Sequence, residues 1–245
     1  MQFAALSDIH GNIDALEAVL ANAKARGVDH IVNLGDICSG PLFPVETLER
    51  LMPLGWPTIR GNHERQLLDR PLEAMGLSDQ YAANHLDARH IDWLRALPTQ
   101  LSPYPDVLMV HGTPSSDLEY YLHTITPEGV TTALGADIHA RTGNVSHRLI
   151  LCGHTHLQAQ HRLADGRLVV NPGSVGLQAY DDTNPYPHVV ENSGPEARYA
   201  IVSMLAGEWS AQFHAVPYDT TRAVQQARRH QRPDWAIALE TGRMN

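Results

Sequence analysis

Five short polar clusters punctuate this chain in order: Asp8-Ile9-His10, Gly35-Asp36, Gly61-Asn62-His63-Glu64, His111-Gly112 and Gly153-His154-Thr155-His156. Imidazole nitrogen suits Zn, Fe, Ni and, less selectively, Mn, whereas carboxylate and amide oxygen favour harder ions. A mixed set of this kind therefore fits a pair of transition-metal ions without choosing the metal. Residues two apart in an extended segment point the same way, so Asp8 with His10, and His154 with His156, can each present two side chains to one centre. Glycines beside Asp36, Asn62, His111 and His154 let the backbone turn sharply and come close to a ligand. One such Asp or His in a loop is ordinarily a cap or turn residue; five clusters together point to chemistry.

The elements that must position them are visible as short β-branched and aliphatic runs at 3–6, 31–34, 58–59, 107–110, 149–151 and 168–170. These are expected strands, and the clusters follow directly after five of them. In open α/β sheets the loops leaving the strand ends converge on a crevice, so separation in sequence does not keep the clusters apart in space. Between the first two runs Ile13, Leu16, Val19, Leu20 and Ala23 share one helical face, with Asn12 as N-cap and Gly27 as stop. Further helices are expected at 45–51, 87–97 and 221–230, and a late hairpin at 199–204 and 209–216 turning at Ala206-Gly207. The pattern predicts an α/β domain spanning 1–245, with helices over a mixed sheet or two packed sheets and a helical cap segment at 65–105. The stretch 176–196 is expected to be a long loop bordering the site.

Composition sets limits on partners. Asp and Glu number 27 against 18 Lys and Arg, a formal net charge of -9, which argues against a general grip on nucleic acid or anionic lipid. An anionic substrate would need that field reversed locally. No basic start followed by an apolar run marks a secretory signal, and no apolar run has membrane-spanning length. Two cysteines, Cys38 and Cys152, are expected to be small buried apolar side chains in a cytoplasmic protein.

In this order the five clusters resemble the calcineurin-like metallophosphoesterase superfamily over residues 1–176. Ser7-Asp8-Ile9-His10-Gly11-Asn12, Ile59-Arg60-Gly61-Asn62-His63-Glu64 and Asn171-Pro172-Gly173-Ser174 are similar to the bacterial and archaeal diadenosine-tetraphosphatase-related branch, which also contains phosphodiesterases and protein phosphatases. The resemblance implies a four-layer αββα sandwich, two packed mixed β-sheets flanked by helices. It implies that Asp8, His10 and His156 hold one divalent ion, that Asn62, His111 and His154 hold a second, and that Asp36 bridges them. A hydroxide between the ions would attack phosphorus in line while His63 protonates the leaving oxygen. Asn12 and Arg60 are expected at the substrate, and Asn171, Ser174 and Glu64 behind the ligands.

The chain departs from the protein phosphatases of this superfamily after Gly35-Asp36: it continues Ile37-Cys38-Ser39-Gly40-Pro41 where they carry a phosphate-binding arginine. The expected activity is hydrolysis of a phosphodiester or phosphomonoester of a small, nucleotide-like substrate, with Mn, Fe, Zn or Ni. A non-catalytic scaffold of the same fold, a DNA nuclease and a protein phosphatase are the alternatives. Retention of every ligand and of His63 counts against the scaffold, and the acidic balance against the nuclease.

Overall fold

Alternation along the central strands sorts their side chains into separate cores, and this alternation builds the layers. In the computed structural model, which describes residues 1–245, β1 (Gln2–Leu6) sends Phe3 and Ala5 to one face and Ala4 and Leu6 to the other. β1 pairs in parallel with β2 (Ile31–Asn33) across the helix α1 (Ile13–Ala25), and antiparallel with β12 (Ala197–Leu205). With β13 (Glu208–Val216) these form a sheet in the order β13-β12-β1-β2. The second sheet runs β3 (Leu101–Tyr104), β4 (Val107–Met109), β7 (Leu149–Leu151), β9 (Leu168–Pro172), β8 (Gln158–Arg162). Its three central strands are parallel and its two edges antiparallel.

Phe3, Ala5, Val107, Met109, Leu149, Leu151, Leu168 and Val170 form a core between the sheets. On the far side of the first sheet, Ala4 and Leu6 meet Leu16 and Val19 of α1 and Leu48 of α2 (Pro44–Leu51). On the far side of the second, Leu108, Ile150 and Val169 meet Tyr121 and Ile138, the latter on α6 (Gly135–Thr142). The layers are therefore helix, sheet, sheet, helix, and both sheets are mixed, as the resemblance implied.

Helices α3 (Asn62–Asp69), α4 (Leu77–His85) and α5 (Ala88–Ala96) occupy most of 65–105. Leu67, Ala82 and Leu94 join the core around α1, so the segment belongs to the helical layer instead of standing apart as a cap. Residues 58–59 form only an isolated bridge, Asn33 to Thr58, because Arg60 N–H turns away to the carbonyl of Pro98. The stretch 176–196 holds a ribbon of β10 (Tyr180–Asp182) and β11 (His188–Val190), so it is not a plain loop. A second ribbon pairs β5 (His123–Thr126) with β6 (Gly129–Thr132). The final helices, α7 (Thr221–Arg229) and α8 (Pro233–Thr241), pack Ala223, Val224, Trp235 and Leu239 against Leu42, Phe43, Leu177 and Ala179.

Leu151 is fully buried between the sheets, one turn of chain before the histidine loop. Leu151→Ala should destabilise the protein by about 2–5 kcal/mol. Urea unfolding should show a lower midpoint with an unchanged slope; an unchanged midpoint would mean that the inter-sheet core does not carry the fold.

Candidate metal centre

The parallel strands of both sheets end on one side of the molecule, and the loops leaving them are joined there by backbone hydrogen bonds. Asp8 N–H donates to Gly35, His10 N–H to Asp36, Gly153 N–H to His111, and Gly176 N–H to Asp8. Two glycines permit this contact. A Cβ on Gly153 would lie 2.0 Å from Ser7 Oγ, and one on Gly61 would lie 2.1 Å from Asp36 Oδ1. Five of the seven non-glycine residues with positive φ are Asp8, His10, Asp36, His154 and His156. Left-handed backbone at non-glycine residues is strained by about 1–3 kcal/mol each and concentrates at functional sites.

One expectation from spacing is corrected: Asp8 and His10 fall in one donor group, but His154 and His156, which carry the same left-handed backbone, fall in different ones. The donor atoms fall into two groups, Asp8 with His10 and His156, and Asp36 with His111 and His154. Asn62 joins the second, its Oδ1 being 3.1 Å from His111 Nε2.

Hydrogen bonds fix which ring nitrogen faces inward. Nδ1 of His10, His156 and His111 meets the backbone carbonyl of Ser39, Leu177 and Leu34 respectively, at 2.8, 2.7 and 2.8 Å. A carbonyl only accepts, so each Nδ1 carries a proton and Nε2 is the nitrogen that faces inward. His10 Nε2 and His156 Nε2 face each other at 3.1 Å, with Asp8 Oδ1 3.4 Å from the latter. Asp8 Oδ1 is buried and has no hydrogen-bond partner. Three lone-pair donors thus converge with no proton to share, an arrangement that fits a cation. Burial and the neighbouring His156 push His10 down to about 3, and burial with His111 pushes His154 down to about 4, so both rings stay neutral. His154 Nε2 lies 3.1 Å from the Leu118 carbonyl, which leaves Nδ1 as its lone-pair nitrogen.

The second group differs. His111 Nε2 lies 3.0 Å from Asp36 Oδ2. Burial disfavours the charged ring, but the charge and hydrogen bond of Asp36 outweigh it and hold His111 at about 10. A proton stands there where a metal ion would otherwise neutralise the carboxylate.

Behind the donors, Glu64 is fully buried and accepts N–H bonds from Asp36, Ile37 and Gly61, joining two ligand loops. Asn171 donates to the Gly153 carbonyl and Thr155 Oγ1, and Ser174 Oγ donates to the Asp8 carbonyl. These three therefore brace the loops, as expected. Asn12 and Arg60 differ from expectation: neither lines the basin. Asn12 Oδ1 caps α1 through Ala15 N–H, while its amide donates to Gly176 and Tyr218.

The donors open into a basin of about 300 Å³ lined by His63, Gln66 and Ser78 as well as ligand candidates. His63 Nδ1 lies 2.7 Å from Asp79 Oδ1, a buried carboxylate that also accepts from Ser39 Oγ. Burial works against a charged His63, yet Asp36 and Asp79 hold it up at about 9. Asp79 carries no sequence signal beyond its place in the first turn of α4. Tyr180 was also missed; its hydroxyl donates to the His154 carbonyl, and its ring packs edge-on at 4.7 Å to His156. Tyr120 and His123 line an adjoining cavity of about 690 Å³, and Tyr121 and Leu122 are core.

Comparison with known proteins agrees with this fold. Residues 1–191 match the calcineurin-like phosphoesterase superfamily domain. The uncharacterized protein MJ0912 of Methanocaldococcus jannaschii is 26% identical, over 95% of this chain and 94% of its own. A crystal structure of a metallophosphoesterase from Sphaerobacter thermophilus superimposes with a TM-score of 0.74 at 25% identity, covering 98% of each chain. The fold is also that of a candidate diadenosine tetraphosphatase, with a TM-score of 0.51 and 18% identity over 86% of this chain and 93% of that one.

Below about pH 10 the metal-free His111 keeps the proton that a cation must displace. Affinity for Mn or Zn should therefore rise with pH, by about tenfold per unit for each proton released. Competition with a chromophoric chelator between pH 6 and 8 measures this; a pH-independent affinity would mean that no cation enters between His111 and Asp36.

Proposed function

The chain belongs to the calcineurin-like phosphoesterase superfamily, and on that basis we propose that it is a metal-dependent hydrolase of a phosphodiester or phosphomonoester on a small, nucleotide-like substrate. The observation that carries this reading is the meeting of two donor groups, with Asn62, at one basin that also holds His63. Asp8, His10 and His156 would hold one ion and Asn62, His111 and His154 the other, with Asp36 shared. Two divalent transition-metal ions there, Mn, Fe, Zn or Ni, would acidify water and neutralise phosphoryl oxygens for an in-line displacement.

The protein's own groups supply the rest. His63 carries a proton at neutral pH, and Asp79 occupies its Nδ1, so Nε2 is the atom that delivers a proton to the leaving oxygen. Asp36 Oδ1 accepts the His63 backbone N–H at 3.0 Å, tying the acid to the proposed bridging ligand. A basin of about 300 Å³ suits a small substrate better than a polynucleotide or a folded phosphoprotein, and the net charge of -9 points the same way. Both cysteines are free and buried, which suits a cytoplasmic setting, and no helix is long and apolar enough to cross a membrane.

The test is hydrolysis of bis-p-nitrophenyl phosphate and p-nitrophenyl phosphate by metal-stripped protein reloaded with Mn, Zn, Fe or Ni. Turnover should return with about two ions bound per chain. His63→Ala should lower kcat by about 100- to 10,000-fold with metal content kept, whereas Asp36→Ala should lose both metal and turnover. Full metal loading without hydrolysis of either ester would overturn the hydrolase reading.

A further inference from the structure

Arg232 is the one lysine or arginine in the wall of the metal basin. It lies outside the 1–191 region that matches the superfamily, directly before α8. The loop after Asp36 brings no cation of its own: Ile37 and Cys38 are buried, and the Ser39 hydroxyl is taken by Asp79. The same wall carries Asp181, Asp182 and Asp234, which repel an anionic substrate.

The guanidinium is held in a defined orientation. Nε and Nη2 donate to the Asp234 carboxylate, Nη2 at 2.6 Å, and Nη1 donates to Ser78 Oγ on α4 at 3.1 Å. It lies 5.6 Å from the centre of the Trp235 ring. Of the five guanidinium N–H groups, one on each terminal nitrogen has no protein partner. Only 17% of the side chain is exposed, so little rotamer freedom remains to be lost on binding.

Trp235 fixes the position of this fork relative to the reaction centre. The indole is buried, packs edge-on to His10 with ring centres 5.9 Å apart, and closes on Gly40, where a Cβ would come within 2.6 Å of it. Arg232 thus stands against an indole that packs on a metal-donor histidine, and it hydrogen-bonds to none of the donor side chains. It addresses a group displaced from the phosphoryl under attack.

We propose that Arg232 is a receptor for a second phosphate, making the substrate class of this basin a phosphate ester that carries a further phosphate beyond the bond cleaved. The inference rests on the phosphoesterase reading above. Two free N–H groups on a planar fork match the oxygens of a phosphate, and Asp234 and Ser78 keep the fork aimed.

Calorimetric titration of the metal-loaded protein with thymidine 5′-monophosphate and thymidine 3′,5′-bisphosphate tests the receptor, with phosphate release followed in parallel so that heat from hydrolysis of these phosphomonoesters is separated from heat of binding. Wild type should prefer the bisphosphate by about tenfold or more, the worth of one charge-assisted contact. The preference should vanish in Arg232→Gln and shrink in Arg232→Lys, which keeps the charge but loses the fork. Ser78→Ala removes only the Nη1 anchor and should narrow the ratio, so the question stays answerable if Arg232→Gln fails to fold. Hydrolysis of the p-nitrophenyl 5′-phosphate esters with and without the 3′-phosphate should show the same ratio in KM. No bisphosphate preference in wild type, or one that survives Arg232→Gln, overturns the receptor even if both esters are cleaved. An Arg232-dependent preference in binding, with neither ester cleaved, upholds the receptor and overturns the hydrolase.

Discussion

Unneutralised lone pairs buried at the strand ends are the constraint around which this protein is arranged. Asp8, Asp36 and Glu64 are buried within a few side chains of one another, beside imidazoles whose outer nitrogens are pinned by carbonyls. Gathering carboxylates out of water carries a penalty of several kcal/mol per ion unless opposite charge or hydrogen bonds meet them. Glu64 is met by three backbone N–H groups, but Asp8 Oδ1 accepts no hydrogen bond in the protein. The arrangement is one that cations would complete, and it is held by packing elsewhere in the fold.

The packing that offsets this strain is the inter-sheet core. The left-handed ligand candidates sit immediately beyond strands whose side chains are buried on both faces, and loops from the two sheets are bonded to each other, His111 to Leu34 and His154 to Asp8. Each ligand loop is therefore held from both sheets. A donor set fixed in this way needs little rearrangement when ligand arrives, which is what preorganised electrostatics requires.

Much of this was legible in the sequence because it is written in short range. Buried parallel strands show as continuous aliphatic runs, and their ends show as Gly, Asp, Asn and His, so β1, β2, β4, β7 and β9 and their clusters stood out. Asn12 and Gly27 marked the ends of α1 correctly, and the Ala206-Gly207 turn marked the late hairpin. What escaped depended on tertiary placement. Asp79 has the look of any acidic residue in a first helical turn, and becomes a partner of His63 only because α4 packs beside α3. Arg232-Pro233-Asp234-Trp235 looks like a plain helix start, since Pro favours the first helical position. The split of His154 from His156 is likewise a matter of tertiary placement that residue spacing does not report.

β1 ends at the first two ligands, yet its neighbours in the sheet come from opposite ends of the chain: β2 follows within thirty residues, while β12 begins at Ala197. During synthesis the strand that presents Asp8 and His10 emerges well before β12 and waits, one edge unpaired, for that partner made almost two hundred residues later. Contacts of such long range slow folding and leave a hydrophobic edge open to other chains meanwhile. The nascent protein is thus most exposed to misassociation after its ligand motifs have been made and before its hairpin arrives, and a chaperone that shields a bare strand edge would serve it most in that interval.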